Sequence, residues 1–200
     1  LPPGSAEDDY VLRPEQQAAV DKAVVAFEAG KAEVLWNAKP RFGKTLAAYA
    51  LIRTLDVCRV LIVTNRPAIA NSWYDDFARF IAHQTTFRFV SESPSLAGRS
   101  PMTREQWRAY SVNRQDEDPR IVEFISLQDL KGSEYFGGSY DKLQHIAQSD
   151  WDLLIIDFSS RGNSVRHVRQ PAQMRLCRTP GRYCSRHTAR VTEQRPGEGG

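Results

Sequence analysis

The residues of this sequence best suited to chemistry lie in the segment AKPRFGKT, residues 38–45, between an apolar run and a helical pattern. In a loop of this kind, successive backbone N–H groups and the start of the following helix surround a phosphate group. Gly43 permits a close backbone approach, Lys44 brings a positive charge to the β- and γ-phosphates, and Thr45 offers a hydroxyl to Mg²⁺. The segment therefore predicts binding of ATP and Mg²⁺. The predicted ATP-binding residues of this loop are Ala38, Lys39, Pro40, Arg41, Phe42, Gly43, Lys44 and Thr45.

A second candidate is Asp157, which ends the apolar run DLLIID at residues 152–157. In nucleotide-hydrolysing enzymes, a strand of this type usually presents its aspartate to Mg²⁺ beside a second acidic group. Here Phe158 follows, and a phenyl ring can neither accept a proton nor orient a water molecule. We therefore predict Lys44 and Asp157 as catalytic residues and Thr45 and Asp157 as Mg²⁺ ligands, with hydrolysis impaired.

Alternating strand and helix patterns position these residues along the chain. Apolar runs predict strands at residues 33–38, 59–64, 86–91, 120–128 and 152–157. Helical spacing predicts helices within residues 10–30, at 44–55 and at 67–82, and shorter ones at 103–110 and 140–148. Strands that alternate with helices imply a parallel sheet covered on both faces. The predicted fold class is therefore α/β, with three layers.

The charge balance changes sign near residue 157. Residues 1–157 hold 18 Lys and Arg against 22 Asp and Glu, whereas residues 158–200 hold 9 Arg against 2 Glu. A change of this size predicts a boundary. Residues 158–200 also contain one Leu and no Ile or Trp, so they are expected to be unstructured. We predict a flexible segment at 1–9, a folded domain at 10–157 and a basic tail at 158–200.

The loop and the segment before it resemble known motifs. The pattern Ala-x-x-x-x-Gly-Lys-Thr resembles motif I of superfamily 2 DNA helicases and translocases, and the restriction-enzyme branch, which includes the helicase subunit of type III restriction enzymes, is the most similar. The segment LRPEQ, residues 12–16, resembles an upstream element of that family whose Gln contacts adenine. The resemblance implies a RecA-like ATP-binding domain and assigns Gln16 as an ATP contact.

Two further segments resemble motifs that contact the nucleic-acid backbone. VLIVTNRP, residues 60–67, resembles motif Ia, which implies Thr64, Asn65 and Arg66 as DNA contacts. FISLQDL, residues 124–130, resembles the next strand-end motif, which implies Ser126 and Gln128. A plain strand followed by a turn is an equally open interpretation of this second segment.

The family's motif II reads Asp-Glu-Ala-His or a relative, and only its first residue is matched here. Asp157 stands at the Asp position, whereas Phe158 and Ser160 stand at the Glu and His positions. Codons can be chosen for residues 159–166 that, read one base later, encode Ala-His-Glu-Gly-Thr-Arg-Tyr. The first four of these residues, Ala-His-Glu-Gly, are what this branch of the family places after Asp-Glu. We therefore hypothesise that the domain is truncated within motif II and that residues 158–200 are a frameshifted product.

Two other interpretations of the tail stay open. An Arg-rich tail would bind nucleic-acid phosphates, with an affinity that falls steeply with salt. Cys177, Cys184, His187 and His167 are possible metal ligands, but they lack the usual two-pair spacing.

The resemblance implies a parent activity in which ATP hydrolysis drives movement on DNA. Its implied cofactors are ATP and Mg²⁺, and its implied partners are DNA and the nuclease or methyltransferase subunits of a restriction system. For this chain we predict weak ATP·Mg²⁺ binding and negligible ATPase activity. The alternatives are another P-loop ATPase or kinase, or a non-catalytic nucleotide- or DNA-binding module. The chain has neither an apolar run of about 20 residues nor the layout of a signal peptide, so no membrane partner is expected. Its three cysteines give no disulfide framework, so a reducing cytoplasmic location is expected.

Overall fold

The computed structural model describes residues 10–39, 41–83, 85–113, 119–141, 143–158 and 172–178. Its α-helices are α1 (Pro14–Glu28), α2 (Lys44–Thr54), α3 (Ala70–Phe80), α4 (Arg104–Val112), α5 (Leu127–Leu130) and α6 (Gln144–Gln148). Its strands are β1 (Glu33–Ala38), β2 (Arg59–Thr64), β3 (Phe87–Val90), β4 (Arg120–Ser126), β5 (Leu153–Phe158) and β6 (Ala172–Arg178). The helices and strands predicted upstream of residue 158 are present, with shifts of a few residues at several ends.

The strands form one sheet in the order β1-β6-β5-β2-β4-β3. The pairs β5-β2, β2-β4 and β4-β3 are parallel, whereas β6 runs antiparallel to both β1 and β5. The predicted α/β class is confirmed, because the sheet is mostly parallel and consistent with a RecA-like fold.

Helices cover both faces of the sheet, as alternate residues of β2 show. Val60 and Ile62 are fully buried in the core that α1, α2 and α3 form on one face. Leu61 and Val63 point to the other face and pack with Ile146 of α6. Because successive strand residues point to opposite faces, an uninterrupted apolar run such as RVLIVT is the pattern that a strand buried on both sides requires.

Strand β6 differs from the sequence-based expectation. Residues 158–200 were predicted to be unstructured, yet residues 172–178 pair with β1 and β5, and Phe158 belongs to β5. Met174 and Leu176 explain the difference, since these alternate residues are fully buried in the main core. The average composition of the 43-residue tail does not reveal that one seven-residue segment within it is apolar on one side. The remainder of the tail and residues 1–9 lie outside the described residues.

Aromatic side chains fill the core beside α2 and α3. Trp73 is fully buried, and the Tyr49 hydroxyl donates to its backbone carbonyl at 2.8 Å. Burial raises the pKa of Tyr49 well above its usual value. Among the described helices, none has the length and apolar character needed to cross a membrane.

Candidate nucleotide site and nucleic-acid edge

The segment 38–45 begins with the last residue of β1 and ends in the first turn of α2. Two of its residues have left-handed backbone conformations, Arg41 with φ 66° and Gly43 with φ 78°. Gly43 is the N-cap of α2, so the first amides of the helix lack a partner within the helix and are directed at the loop. An anion placed there would also meet the positive end of the helix dipole.

Lys44 and Asp157 form an ion pair across the site. The Lys44 Nζ lies 3.0 Å from Asp157 Oδ1, and the two side chains are 13% and 5% exposed. Lys44 begins α2, whereas Asp157 stands in β5. Strand and helix therefore bring together the lysine and the aspartate that the sequence analysis assigned to one nucleotide site.

The residues around this pair are chemically suited to ATP and Mg²⁺. Asp157 supplies a buried carboxylate, and Thr45 follows Lys44 in the first turn of α2. Oxygen ligands of this kind, completed by phosphate oxygens and water, are what Mg²⁺ prefers. The part of the chain that the structure describes contains no group of three or more His, Cys, Asp and Glu side chains that could hold a metal.

Gln16, the predicted adenine contact, is bound to the phosphate loop. Its side chain is buried, and its Nε2 donates to the carbonyls of Phe42 at 2.7 Å and Gly43 at 3.3 Å. Its Oε1 accepts from the backbone N–H of Arg13 at 2.8 Å and from the Tyr10 hydroxyl at 3.0 Å. Both ends of the amide are thus engaged within the protein. Contact with adenine stays a prediction, and it would require Gln16 to exchange some of these partners.

Two residues of this arrangement were missed from the sequence, Tyr10 and Arg13. The Arg13 guanidinium donates to the carbonyls of Arg41, at 3.1 Å, and of Phe42. Burial raises the pKa of Tyr10, and its hydrogen bond to Gln16 partly offsets that effect. A role for Arg13 could have been predicted from the segment LRPEQ, because Arg13 stands about one helical turn before Gln16. Nothing in the local sequence marked Tyr10.

The carboxyl ends of the parallel strands form one row beside the loop. Thr64 of β2 pairs in register with Asp157 on one side and with Ser126 of β4 on the other. The predicted DNA-contacting residues of β2 and β4 therefore follow directly from the aspartate at the nucleotide site, along a single edge of the sheet.

The row is not uniformly accessible. Thr64 and Ser126 are fully buried; the Thr64 hydroxyl donates to the Arg66 carbonyl at 3.0 Å, and the Ser126 hydroxyl to Asp129 Oδ2 at 2.7 Å. Arg66 and Gln128 are exposed, and Asn65 is half-buried. The structure thus places two of the five predicted DNA contacts below the surface, where their side chains hold the strand ends.

Some predicted residues cannot be placed. Pro40, His167, Cys184 and His187 lie outside the described residues, and Cys177 stands in β6. The side chain of Phe158 also lies outside the description, although its backbone continues β5 beyond Asp157. The proposed metal ligands of the tail therefore remain a prediction.

Comparison with known proteins assigns a family to this fold and site. The family described as type III restriction enzyme, res subunit, matches residues 9–174. A protein of Mycoplasma pneumoniae, named the C-terminus of a putative type II restriction enzyme and methyltransferase, is 27% identical over 155 residues. That match covers 74% of this chain and 20% of the relative, so the chain spans about a fifth of the relative's length. No solved structure matches the chain.

Proposed function

We propose, because this chain belongs to the type III restriction enzyme res subunit family, that it is the ATP-binding N-terminal domain of a restriction-type DNA helicase or translocase. The observation that carries this proposal is the ion pair between Lys44 of the phosphate loop and Asp157 of β5. A lysine and an aspartate on these two elements are the pair of charges that a helicase-type ATPase directs at the phosphates and at Mg²⁺. The family membership itself supports a DNA helicase-type ATPase domain.

In this proposal each group at the site has a defined task toward the nucleotide. Lys44 leaves Asp157 and binds the β- and γ-phosphate oxygens, while the helix N-terminus and the loop amides surround the β-phosphate. Thr45 and Asp157 would hold Mg²⁺, which would neutralise charge on the phosphates. Without nucleotide, the Lys44 ammonium is the cationic partner of the Asp157 carboxylate.

Hydrolysis needs one group more than binding does. A water molecule that attacks the γ-phosphate must be oriented, and a carboxylate beside the metal-binding aspartate commonly serves this purpose. Phe158 occupies the next position in this chain. We infer that the chain binds ATP but turns it over negligibly.

The sheet edge supports DNA as the macromolecular partner. Arg66 and Gln128 are exposed beside the buried ends of β2 and β4, and both can donate hydrogen bonds to phosphate oxygens. Strand β2 lies between β5 and β4, so the predicted DNA contacts lie beside the strand that carries Asp157. The relative's name joins a restriction enzyme with a methyltransferase, which supports a restriction system as the wider setting.

The proposal is tested by measuring ATP affinity and ATP turnover with and without single-stranded DNA, using the whole 200-residue chain. We expect DNA to change the ATP affinity, and ATP to change the DNA affinity by the same factor, since linkage is reciprocal. Turnover should stay at the level of Lys44→Ala in both conditions.

Two results would count against this function. DNA-stimulated turnover well above that of Lys44→Ala would contradict the hydrolysis-deficient assignment. ATP binding that is indifferent to DNA would favour a different P-loop ATPase or kinase.

A further inference from the structure

Residues 131–141, which we call the aromatic loop, present two uncovered rings. The exposed fractions are 44% for Phe136 and 70% for Tyr140. The loop follows α5, the single helical turn that carries Gln128. Large apolar rings that stay in water forgo the favourable free energy of burial, so their position beside a predicted binding edge calls for an explanation.

Backbone hydrogen bonds hold the aromatic loop in one shape. Gly138 N–H donates to the Ser133 carbonyl at 2.7 Å, Tyr140 N–H to the Gly132 carbonyl at 2.8 Å, and Glu134 N–H to the Tyr140 carbonyl at 2.9 Å. Ser133 is fully buried beneath these contacts. The two rings are therefore presented by an ordered turn, and a partner would not have to supply the free energy of ordering it.

Glycines make this turn possible. Gly132 and Gly137 have φ of +87° and +86°, backbone angles that residues other than glycine rarely adopt. A Cβ on Gly138 would overlap the backbone of Gly132. The chain at Gly138 therefore crosses close to the chain at Gly132, and this crossing places Tyr140 beside the start of the loop.

The aromatic loop continues the proposed DNA edge. Gln128 lies in α5, and the N–H of Lys131, at the start of the loop, donates to the Leu127 carbonyl at 2.9 Å. Arg66, Gln128 and Lys131 are all exposed. Side chains that can donate to phosphate oxygens therefore lie next to the loop that carries the two rings. Proteins that bind single strands combine such donors, which contact the backbone, with aromatic rings, which contact the bases.

Charges near the rings indicate which part of DNA they would contact. Glu134 and Asp141 belong to the same loop, and the Tyr135 hydroxyl donates to Asp141 Oδ1 at 3.2 Å. Carboxylates repel phosphates but leave the neutral faces of bases unaffected. The rings are therefore better suited to bases than to the DNA backbone.

We propose that Phe136 and Tyr140 stack on unpaired bases of single-stranded DNA whose backbone lies along the edge with Arg66 and Gln128. This assignment rests on the proposed function, because it needs DNA on that edge. It adds a base-contacting surface that prefers single strands and tolerates any sequence, since every base has a π-face.

The test compares equilibrium binding of the whole chain to a labelled oligothymidylate and to an abasic strand of equal length. Wild type should prefer the oligothymidylate. Phe136→Ala and Tyr140→Ala should each weaken binding to it by roughly 5- to 150-fold, the range found for the loss of one stacked base. Phe136→Tyr and Tyr140→Phe should retain affinity within about twofold, because the stacking face is kept.

Matched controls and salt dependence separate stacking from other causes. Val25 and Val112 are 64% and 63% exposed on α1 and α4, and replacing either with Ala should leave DNA binding unchanged. The loss in Phe136→Ala should persist at high salt, whereas the loss in Arg66→Ala should shrink with salt.

The possible failures are distinguishable. If wild type binds neither strand, the proposed function itself is wrong. If wild type binds both strands equally, or Phe136→Ala and Tyr140→Ala bind like wild type, the stacking assignment is wrong while DNA binding stands.

Discussion

Replacement of Lys44 by Met is expected to lower the free energy of unfolding by about 3–5 kcal/mol. The Lys44 Nζ lies 3.0 Å from Asp157 Oδ1, and the Asp157 side chain is only 5% exposed. Removing the ammonium therefore leaves a carboxylate that is buried, charged and without its cationic partner. Urea unfolding at neutral pH, followed by circular dichroism, measures the loss directly.

Two companion variants identify the cause. Adding Asp157→Leu to Lys44→Met should recover most of the lost stability, since removing both members of a buried pair is often nearly neutral. Lys31→Met removes an exposed lysine and should change stability by no more than about 0.5 kcal/mol. If Lys44→Met were no more destabilising than Lys31→Met, the ion pair would not be an important contact of the folded protein.

Gly43→Ala adds a single methyl group, yet it is expected to lower the free energy of unfolding by several kcal/mol, about 2–5 in total. The residue has φ +78°, and a Cβ there would overlap the Gln16 Nε2. The left-handed backbone alone costs about 1–2 kcal/mol with a side chain. Displacing Gln16 breaks the hydrogen bonds from its Nε2 to the carbonyls of Phe42 and Gly43, at roughly 0.5–1.5 kcal/mol each, because both carbonyls keep a second donor. Urea unfolding should show both contributions.

Gly30→Ala is the matched control for this variant. Gly30 has φ +81°, but a Cβ at this position would have no neighbour within 4 Å, so only the backbone contribution applies. Gln16→Ala combined with Gly43→Ala should be less destabilising than the sum of the single changes, because the overlap is then relieved. Equal effects of Gly43→Ala and Gly30→Ala would mean that Gln16 does not hold the loop.

The sequence predicted the elements whose signals are local. The bounds of β1 and β2 were predicted to the residue, because each is a short apolar run ended by polar or loop residues. Pro14 marked the first turn of α1. The helix predicted from residue 67 begins as the 3-10 turn Pro67–Ile69 and becomes α-helical at Ala70. Likewise, β4 ends at Ser126 instead of residue 128, because the Ser126 hydroxyl caps α5.

The parts of the site that were missed depend on contacts between distant segments. The motifs identified Lys44, Asp157 and Gln16 as neighbours of one loop, but no local pattern indicated that Gln16 would bind the loop's own carbonyls. The burial of Thr64 and Ser126 could not be predicted either, because it depends on the residues that pack around the strand ends. The strand β6 was missed because the tail was judged on composition, whereas two buried residues, Met174 and Leu176, suffice to anchor it.

Equilibrium titration with ATP and Mg²⁺ tests the central claim, that segment 38–45 binds the phosphates of ATP. Wild type and Lys31→Ala should bind with the same Kd. Lys44→Ala should bind about 10- to 100-fold more weakly, the effect of losing charge-assisted hydrogen bonds. The variant Lys44→Met/Asp157→Leu, expected to remain folded, should bind no better than Lys44→Ala. Undiminished ATP affinity in folded Lys44→Ala, or no ATP binding by wild type, would contradict the account.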